Sequence, residues 1–266
     1  ISVHQILSPI DIVDRANIEK NIINIINSSN ADYIIFGENN FPYLINETSY
    51  LKINKYIKKG KKIIIGGTRY SKKKYYNSFL LLEKNNIQFF DKKILVPFGE
   101  FLPFRKYLKF MESISGNVDY EKGNKERILI TKDNINILPV ICYEIIFDLI
   151  FKKINKNKID IIINITNDSW FGNTIGPYQH FYISRIKSLI ANKPIVRVSN
   201  NGISAIIDSN GNVIKSLKLN QKGTLNYKLN INGSNSYLYF HNFIFIYLIF
   251  LFIALLIIYR NNLNEK

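Results

Sequence analysis

Short apolar segments of β-type sequence alternate with helical segments over almost all of residues 1–230. The run "IDIIINIT" at 159–166 is apolar at successive positions, which is typical of a strand buried on both faces of a sheet. Apolar residues at three- and four-residue spacing predict helices at 11–28 and 178–192. Because such a sheet has to be covered by helices, the pattern predicts a layered α/β domain. Strands are predicted at 1–7, 32–37, 61–70, 77–83, 87–95, 127–132, 135–143, 159–166, 194–200, 203–208 and 224–229, and further helices at 46–59, 104–113 and 145–156.

The end of the chain differs from this pattern. Residues 243–259, "FIFIYLIFLFIALLIIY", form a run of seventeen residues without a charge. Tyr237, Tyr239 and Tyr259 lie where an interfacial aromatic belt would lie, and Arg260 follows them. A buried core helix is the alternative, but a helix that is apolar all round and follows a domain favours a membrane span. We therefore expect a catalytic domain at 1–232, a transmembrane helix with an interfacial flank at 233–260 and a short tail at 261–266.

Cysteine usage and charge limit the classes of site. The single cysteine, Cys142, excludes an internal disulfide and argues against a structural zinc site. The formal charge of +16 would suit a nucleic acid or an anionic membrane surface. However, the lysines are spread along the chain beside abundant Ile and Asn, and no nucleic-acid-binding motif is present. We expect no nucleic-acid partner, no metal and no cofactor.

Four segments place polar residues directly after an apolar strand, where α/β folds carry their sites. They are "FGENNFP", "FDKKILVPFGE", in which the two lysines are predicted to lie in a strand, "LPVICYEIIF" and "NITNDSWFG". The candidate residues in these four segments are Glu38, Lys92, Lys93, Glu100, Cys142, Glu144, Asn167, Asp168, Trp170 and Phe171.

Cys142 lies where a strand gives way to a helix, and this position favours a nucleophile. A thiolate there is stabilised by free N–H groups, and a nearby lysine lowers the thiol pKa further. A partly buried carboxylate with a raised pKa can accept the thiol proton. Taken alone, however, Cys142 fits a buried hydrophobe equally well, and single Glu or Lys residues are usually solvated. The histidines do not supply a Cys-His dyad, since His4 lies in an edge-like strand, His180 on a helix and His241 beside the apolar run, so the base is expected to be a carboxylate.

Glu38, Lys92 and Cys142, in this order and local context, resemble the Glu-Lys-Cys triad of the carbon-nitrogen hydrolase (nitrilase) superfamily. Within it, "LVPFGEFLP", "ICYE", "NDSWFG", "GPYQH" and "VSNNGISAIID" are similar to motifs of the apolipoprotein N-acyltransferase family, over nearly all of residues 1–230. The resemblance implies an α-β-β-α sandwich with Glu38 as general base, Lys92 as the cation that supports the oxyanion and Cys142 as nucleophile. It also implies supporting roles for Glu100 and Glu144 and a substrate-side loop with Asn167, Trp170 and Phe171.

The same resemblance implies a two-step acyl transfer. Cys142 takes an acyl chain from a phospholipid as a thioester, and the α-amino group of a diacylglyceryl-cysteine lipoprotein then accepts it. The family acts in the bacterial cytoplasmic (inner) membrane with its catalytic domain on the periplasmic side. A multi-helix membrane domain, absent from this chain, is expected to precede it in a longer protein.

Two other functions stay open at this stage. One is a membrane-tethered amidase that hydrolyses small amides, and the other is an inactive nitrilase-fold module that binds lipid or protein. The chain also departs from the family at Phe90, where Tyr is usual, and at Gly37, where Pro is common. Both departures are compatible with the triad, although Gly37 constrains the position of Glu38 less than Pro would.

Overall fold

Two six-stranded sheets form the centre of the computed structural model, which describes residues 1–6, 15–46, 49, 54–112, 118–152, 158–230 and 239–264. The chain divides into two compact units, Ile1–Gly233 and Ser234–Lys266. The first sheet contains β1 (Ser2–Gln5), β2 (Tyr33–Phe36), β3 (Lys62–Ser71), β4 (Lys74–Glu83), β5 (Asn86–Asp91) and β12 (Gly223–Asn226), in the order β12-β1-β2-β3-β4-β5. The second contains β6 (Leu129–Ile130), β7 (Asn136–Ile141), β8 (Ile161–Asn167), β9 (Ile195–Asn200), β10 (Ser204–Ile207) and β11 (Val213–Leu217), in the order β11-β10-β9-β8-β7-β6.

An apolar layer joins the two sheets. Val3, Ile35 and Phe79 of the first sheet share one core cluster with Ile141 and Val196 of the second, and all five are completely buried. Each such side chain contributes about 1.5–3 kcal/mol when it leaves water. This layer explains the uniformly apolar strands, because their second faces are also covered.

Helices cover the outer faces of both sheets. Helix α1 (Arg15–Ser28) packs on the first sheet through Ile22, while α2 (Asp148–Lys152) and α3 (Gly176–Ala191) pack on the second, where Phe151 is buried. The first unit is therefore an α/β sandwich, as the alternation of segments predicts.

Strand direction brings several chain segments to one edge of the sandwich. β2 is parallel to β1 and β3, and β8 is parallel to β7 and β9. β4 is antiparallel to β3 and β5, so β5 ends at the same edge as β2. The residues that follow or end these strands include Glu38 after β2, Lys92 after β5, Cys142 after β7 and Asn167 at the end of β8. The ends of parallel strands are where an α/β fold carries its site.

Some predicted elements differ from the structure. The strand predicted at 87–95 ends at Asp91, so Lys92 and Lys93 follow the strand instead of lying in it. β1 pairs with both β12 and β2, and His4 is therefore not on an edge strand. In the described part of the helix predicted at 104–113, turns and the short 3₁₀ helix Lys109–Met111 precede Glu112. Phe104 has a left-handed backbone (φ 52°), so no α-helix begins there.

One further strand, β11, was not predicted. Its apolar residues Val213, Ile214 and Leu217 neither alternate nor form a continuous run. Parts of the elements predicted at 11–28, 46–59, 104–113 and 145–156 lie outside the described residues.

The second unit contains the helix α4 (Tyr239–Asn264), whose described side chains at 246–257 are exposed. Among the helices that the structure describes, none combines the length and the hydropathy needed to cross a membrane. The prediction of a transmembrane helix is therefore not confirmed.

Candidate active site

A tight turn after β2 positions Glu38. The Gly37 N–H donates to Asn40 Oδ1 (2.7 Å), and Asn200 Nδ2 donates to the Glu38 carbonyl (2.5 Å). A Cβ at Gly37 would lie 2.5 Å from Asn200 Oδ1, so a side chain at this position would force Asn200 to move. Gly37 therefore lets Asn200 approach and hold the turn.

The Glu38 carboxylate is buried, and each of its oxygens accepts a hydrogen bond. Asn77 Nδ2 donates to Oε1 (2.7 Å), and the Asn167 N–H donates to Oε2 (2.8 Å). The Cys142 thiol also hydrogen-bonds to this side chain, and Lys92 Nζ lies 4.0 Å from Oε1. Burial raises the pKa of Glu38 although Lys92 opposes the shift. A carboxylate with a raised pKa in contact with a thiol has the properties of a general base.

Lys92 is the cation of the site, and it is 1% exposed. Its Nζ lies 2.8 Å from Glu100 Oε2, and its N–H donates to the Asn77 carbonyl (2.8 Å). Burial opposes the charge of Lys92, but the nearby Cys142, Glu38 and Glu100 outweigh it and raise its pKa. The side chain is therefore a permanent positive charge beside the thiol.

Cys142 opens the 3₁₀ helix Cys142–Ile146 with a left-handed backbone (φ 49°). Such a conformation costs a non-glycine residue about 1–2 kcal/mol and is often found at functional sites. Thr166 Oγ1 lies 3.3 Å from the sulfur. Burial, together with the charge of Glu38, raises the pKa of the thiol to about 12, and Lys92 only partly offsets this. The expected lowering of the thiol pKa is therefore wrong, and the protonated thiol needs a base.

Glu144 is buried in the same 3₁₀ helix as Cys142. Arg127 donates to both carboxylate oxygens at 2.6 Å, and the N–H groups of Ile141, Lys93 and Ile94 donate at 3.1, 2.9 and 3.1 Å. Burial opposes ionisation, but Arg127 and these donors outweigh it and lower the pKa of Glu144. Its carboxylate thus ties the segment after β5 to the end of β7.

The substrate-side residues named from sequence lie in different environments. The Asn167 N–H contacts Glu38, and its side chain accepts a hydrogen bond from the Ser169 N–H (3.2 Å). Phe171 packs edge to face on the His180 ring, with a centroid separation of 5.8 Å. Trp170 is 69% exposed. Only Asn167 of this group therefore contacts the cluster around Cys142 directly.

A buried charged cluster lies behind Cys142, and sequence reasoning missed it. His180 Nδ1 and Arg197 Nη2 lie 2.8 and 2.7 Å from the two oxygens of Asp168, while His180 Nε2 lies 3.3 Å from the Cys142 carbonyl oxygen. Burial opposes the charge of Asp168, but Arg197 outweighs it and lowers the Asp168 pKa. An arginine inside the apolar strand "IVRVSN" was the available signal, because a buried arginine must be paired.

Asn77, Thr166 and Arg127 were also missed. Each is a single polar residue in or beside a predicted strand, and nothing in its local sequence says which carboxylate or thiol it contacts. As for a metal, the described residues contain no group of three or more His, Cys, Asp or Glu placed to hold one.

A comparison of the sequence with family models gives a family that is consistent with the fold and with the cluster of Glu38, Lys92 and Cys142. The model of the carbon-nitrogen hydrolase family matches residues 16–237, and the chain belongs to this family. Three similar curated proteins are of one kind within this family. The apolipoprotein N-acyltransferases of Rickettsia typhi and Wigglesworthia glossinidia brevipalpis are 45% and 39% identical over 166 and 219 residues, which is 60% and 75% of this chain. That of Brucella melitensis is 34% identical over 209 residues, or 73% of the chain.

The chain spans only 33%, 43% and 39% of the length of these three relatives, in the order given. Solved structures share the fold. A carbon-nitrogen hydrolase superfamily protein from Xanthomonas campestris has a TM-score of 0.63 at 16% identity, covering 84% of this chain and 88% of its own. The glutamine-dependent NAD+ synthetase of Acinetobacter baumannii has a TM-score of 0.66 at 16% identity, with 84% and 44% covered.

Proposed function

We propose that this chain is the catalytic part of an apolipoprotein N-acyltransferase. The observation that carries the proposal is a protonated thiol, Cys142, hydrogen-bonded to a buried carboxylate, Glu38, beside the permanent cation Lys92. The similarity to curated acyltransferases supports the choice of reaction within the family. The acyl donor is a phospholipid, and the acceptor is a diacylglyceryl lipoprotein.

In the first step, the Cys142 sulfur attacks the ester carbonyl of the phospholipid while Glu38 takes the thiol proton. Lys92 stabilises the negative charge that develops on the carbonyl oxygen. When the intermediate collapses, the carbon–oxygen ester bond breaks, and protonated Glu38 returns the proton to the leaving lysophospholipid oxygen. The product is an acyl thioester on Cys142.

In the second step, the α-amino group of the lipoprotein attacks the thioester. Glu38 takes a proton from the amine and passes it to the departing sulfur of Cys142 as the amide bond forms. The thiol is regenerated, and no proton is gained or lost overall. Water must be excluded during this step, because it would convert the thioester to a free fatty acid.

The neighbouring residues have supporting roles in this proposal. Glu100 holds the Lys92 ammonium, and Glu144 braces the nucleophile turn through Arg127. Asn167 orients the Glu38 carboxylate, whereas Trp170 and Phe171 lie on the loop that receives the lipid.

The lipid substrates imply where the protein works. We place the reaction at the bacterial cytoplasmic membrane, with the catalytic domain on the periplasmic side and a multi-helix membrane domain as partner in the full-length protein. This location follows from the proposed substrates and from the relatives.

Mass spectrometry of Cys142 tests the proposal. The full-length protein, incubated with phospholipid alone, is expected to carry one fatty acyl group on Cys142 and to lose it when a diacylglyceryl lipopeptide is added. The Cys142→Ala variant is the matched control and carries no acyl group. Hydrolysis of small amides without an adduct from phospholipid would indicate an amidase instead, and an unmodified thiol with both substrate classes would indicate a binding module.

A further inference from the structure

The proposed base, Glu38, belongs to a closed ring of four side chains, whose other members are Asn77, Glu100 and Lys92. Asn77 Nδ2 donates to Glu38 Oε1 and to Glu100 Oε1, both at 2.7 Å. The other oxygen of Glu100 lies 2.8 Å from Lys92 Nζ, which lies 4.0 Å from Glu38 Oε1. Asn77 is the only uncharged member of this ring. Its single amide group bridges two carboxylates that would otherwise repel each other across one ammonium.

The orientation of the Asn77 amide is fixed by its neighbours. Both carboxylates are acceptors, so the NH₂ group has to face them. The side chain is 2% exposed, and its Oδ1 accepts no hydrogen bond from any residue that the structure describes. A buried acceptor without a partner is unfavourable, and a purely structural asparagine would be expected to satisfy both ends. The structure retains the unsatisfied oxygen and keeps both donors on the carboxylates.

We propose that Asn77 is a positioning residue that ties Glu38 to Glu100 and so holds the Glu38 carboxylate ionised and aimed at the Cys142 thiol. The proposal deepens the proposed acyl transfer and rests on it, because Glu38 is taken as the base. Asn77 touches the base and not the substrate, so it acts through Glu38. This position therefore requires a side chain that donates two hydrogen bonds and carries no charge.

The charge balance explains why a neutral donor is needed. Besides Asn77, the charged or titratable side chains that influence Glu38 most are Lys92, Glu100 and Cys142, and the ionisation of the buried Tyr120 is influenced by the same carboxylates. One ammonium faces two carboxylates, and a second cation would compete for the oxyanion. The two hydrogen bonds from Asn77 instead favour the ionised form of Glu38 and leave Lys92 free to assist the substrate.

The pH dependence of Cys142 alkylation tests the proposal without an acyl donor. Iodoacetamide labelling of the intact chain is followed by mass spectrometry from pH 4.5 to 9, and the single cysteine makes each adduct assignable. In the wild type, we expect the rate to rise with pH as Glu38 ionises. In Asn77→Leu, the new side chain has a similar shape but no hydrogen-bond donor. We expect the pH at which the labelling rate is half-maximal, the midpoint, to move up by about one pH unit or more. We also expect the plateau rate to fall by about 10- to 100-fold, because the carboxylate is no longer aimed at the thiol.

Ser78→Ala is the matched control. Ser78 is a buried neighbour on β4 that donates to Asp91 at 2.5 Å, and Asp91 keeps two hydrogen bonds from Arg69 when the serine is lost. This variant, on the same strand as Asn77, loses a buried hydrogen bond to the carboxylate of Asp91 on β5, and we expect its midpoint to stay at the wild-type pH. An unchanged midpoint in Asn77→Leu, or an equal shift in Ser78→Ala, overturns the proposal. Failure of phospholipid to acylate Cys142 would overturn the proposed function separately, since alkylation does not involve the lipid.

Discussion

Replacement of Glu38 by Gln is the sharpest test of how the thiol is activated. The variant keeps the shape of the side chain and removes the base. Because the pKa of Cys142 is about 12, only about 1 in 100,000 molecules carries a thiolate at pH 7. Without a base, attack has to proceed through this small fraction. Loss of the negative charge of Glu38 lowers the thiol pKa again and returns part of the rate, so the expected net loss at pH 7 is about 10²- to 10⁴-fold.

The pH dependence of the acylation rate distinguishes attack assisted by Glu38 from attack by the small thiolate fraction. The pKa of Glu38 is raised from 4.5, so wild-type activity is lost as the pH falls through this raised value and is level above it, up to about pH 9. The Glu38→Gln rate should instead rise about tenfold per pH unit, because the thiolate fraction does. The burst of 4-nitrophenolate released from an activated ester measures acylation of Cys142 in both proteins. A Glu38→Gln burst rate within tenfold of wild type at pH 7, or a wild-type rate that climbs tenfold per unit, would refute the general-base role.

Three other changes have defined outcomes. Cys142→Ala should abolish turnover while lowering the free energy of unfolding by only about 1 kcal/mol, as measured by urea denaturation. Arg127→Met leaves the buried Glu144 carboxylate without its partner and should cost about 3–5 kcal/mol in the same assay. The folded-state pKa of Glu144 is lowered, so its contribution to the free energy of unfolding is complete above pH 4.5 and is lost as the pH falls through that lowered value. The stability lost in Arg127→Met should therefore shrink in acid. Gly66→Ala places a Cβ 2.7 Å from the Cα of the proposed base and should reduce the acylation rate by about 10- to 100-fold, whereas Gly99→Ala, with its nearest neighbour at 3.6 Å, should act like wild type.

The sequence predicts most of the sandwich because the strands are apolar at successive positions. For this reason the predicted ends of β3 and β8 lie within two residues of the observed ends. Prediction failed where local pattern and tertiary structure disagree. The residues after Pro103 form turns and a short 3₁₀ helix despite their helical pattern, and the apolar residues of β11 neither alternate nor form a continuous run.

The candidate site was predicted only in part for a related reason. Glu38, Lys92 and Cys142 stand out because each lies within a recognisable motif. Asn77 is different, since its role depends on where Glu38 and Glu100 meet, and that meeting is set by tertiary packing. The direction of the Cys142 pKa shift was also beyond reach, because it depends on whether burial outweighs the neighbouring charges.

The proposed proton donor and its acceptor follow strands of different sheets. Glu38 follows β2 in the first sheet, and Cys142 follows β7 in the second. The two residues are far apart in sequence, and a chain whose sheets have not packed together carries an ordinary cysteine and an ordinary glutamate. The proposed site therefore exists only where one sheet is packed on the other, and an incompletely folded chain has no assembled site.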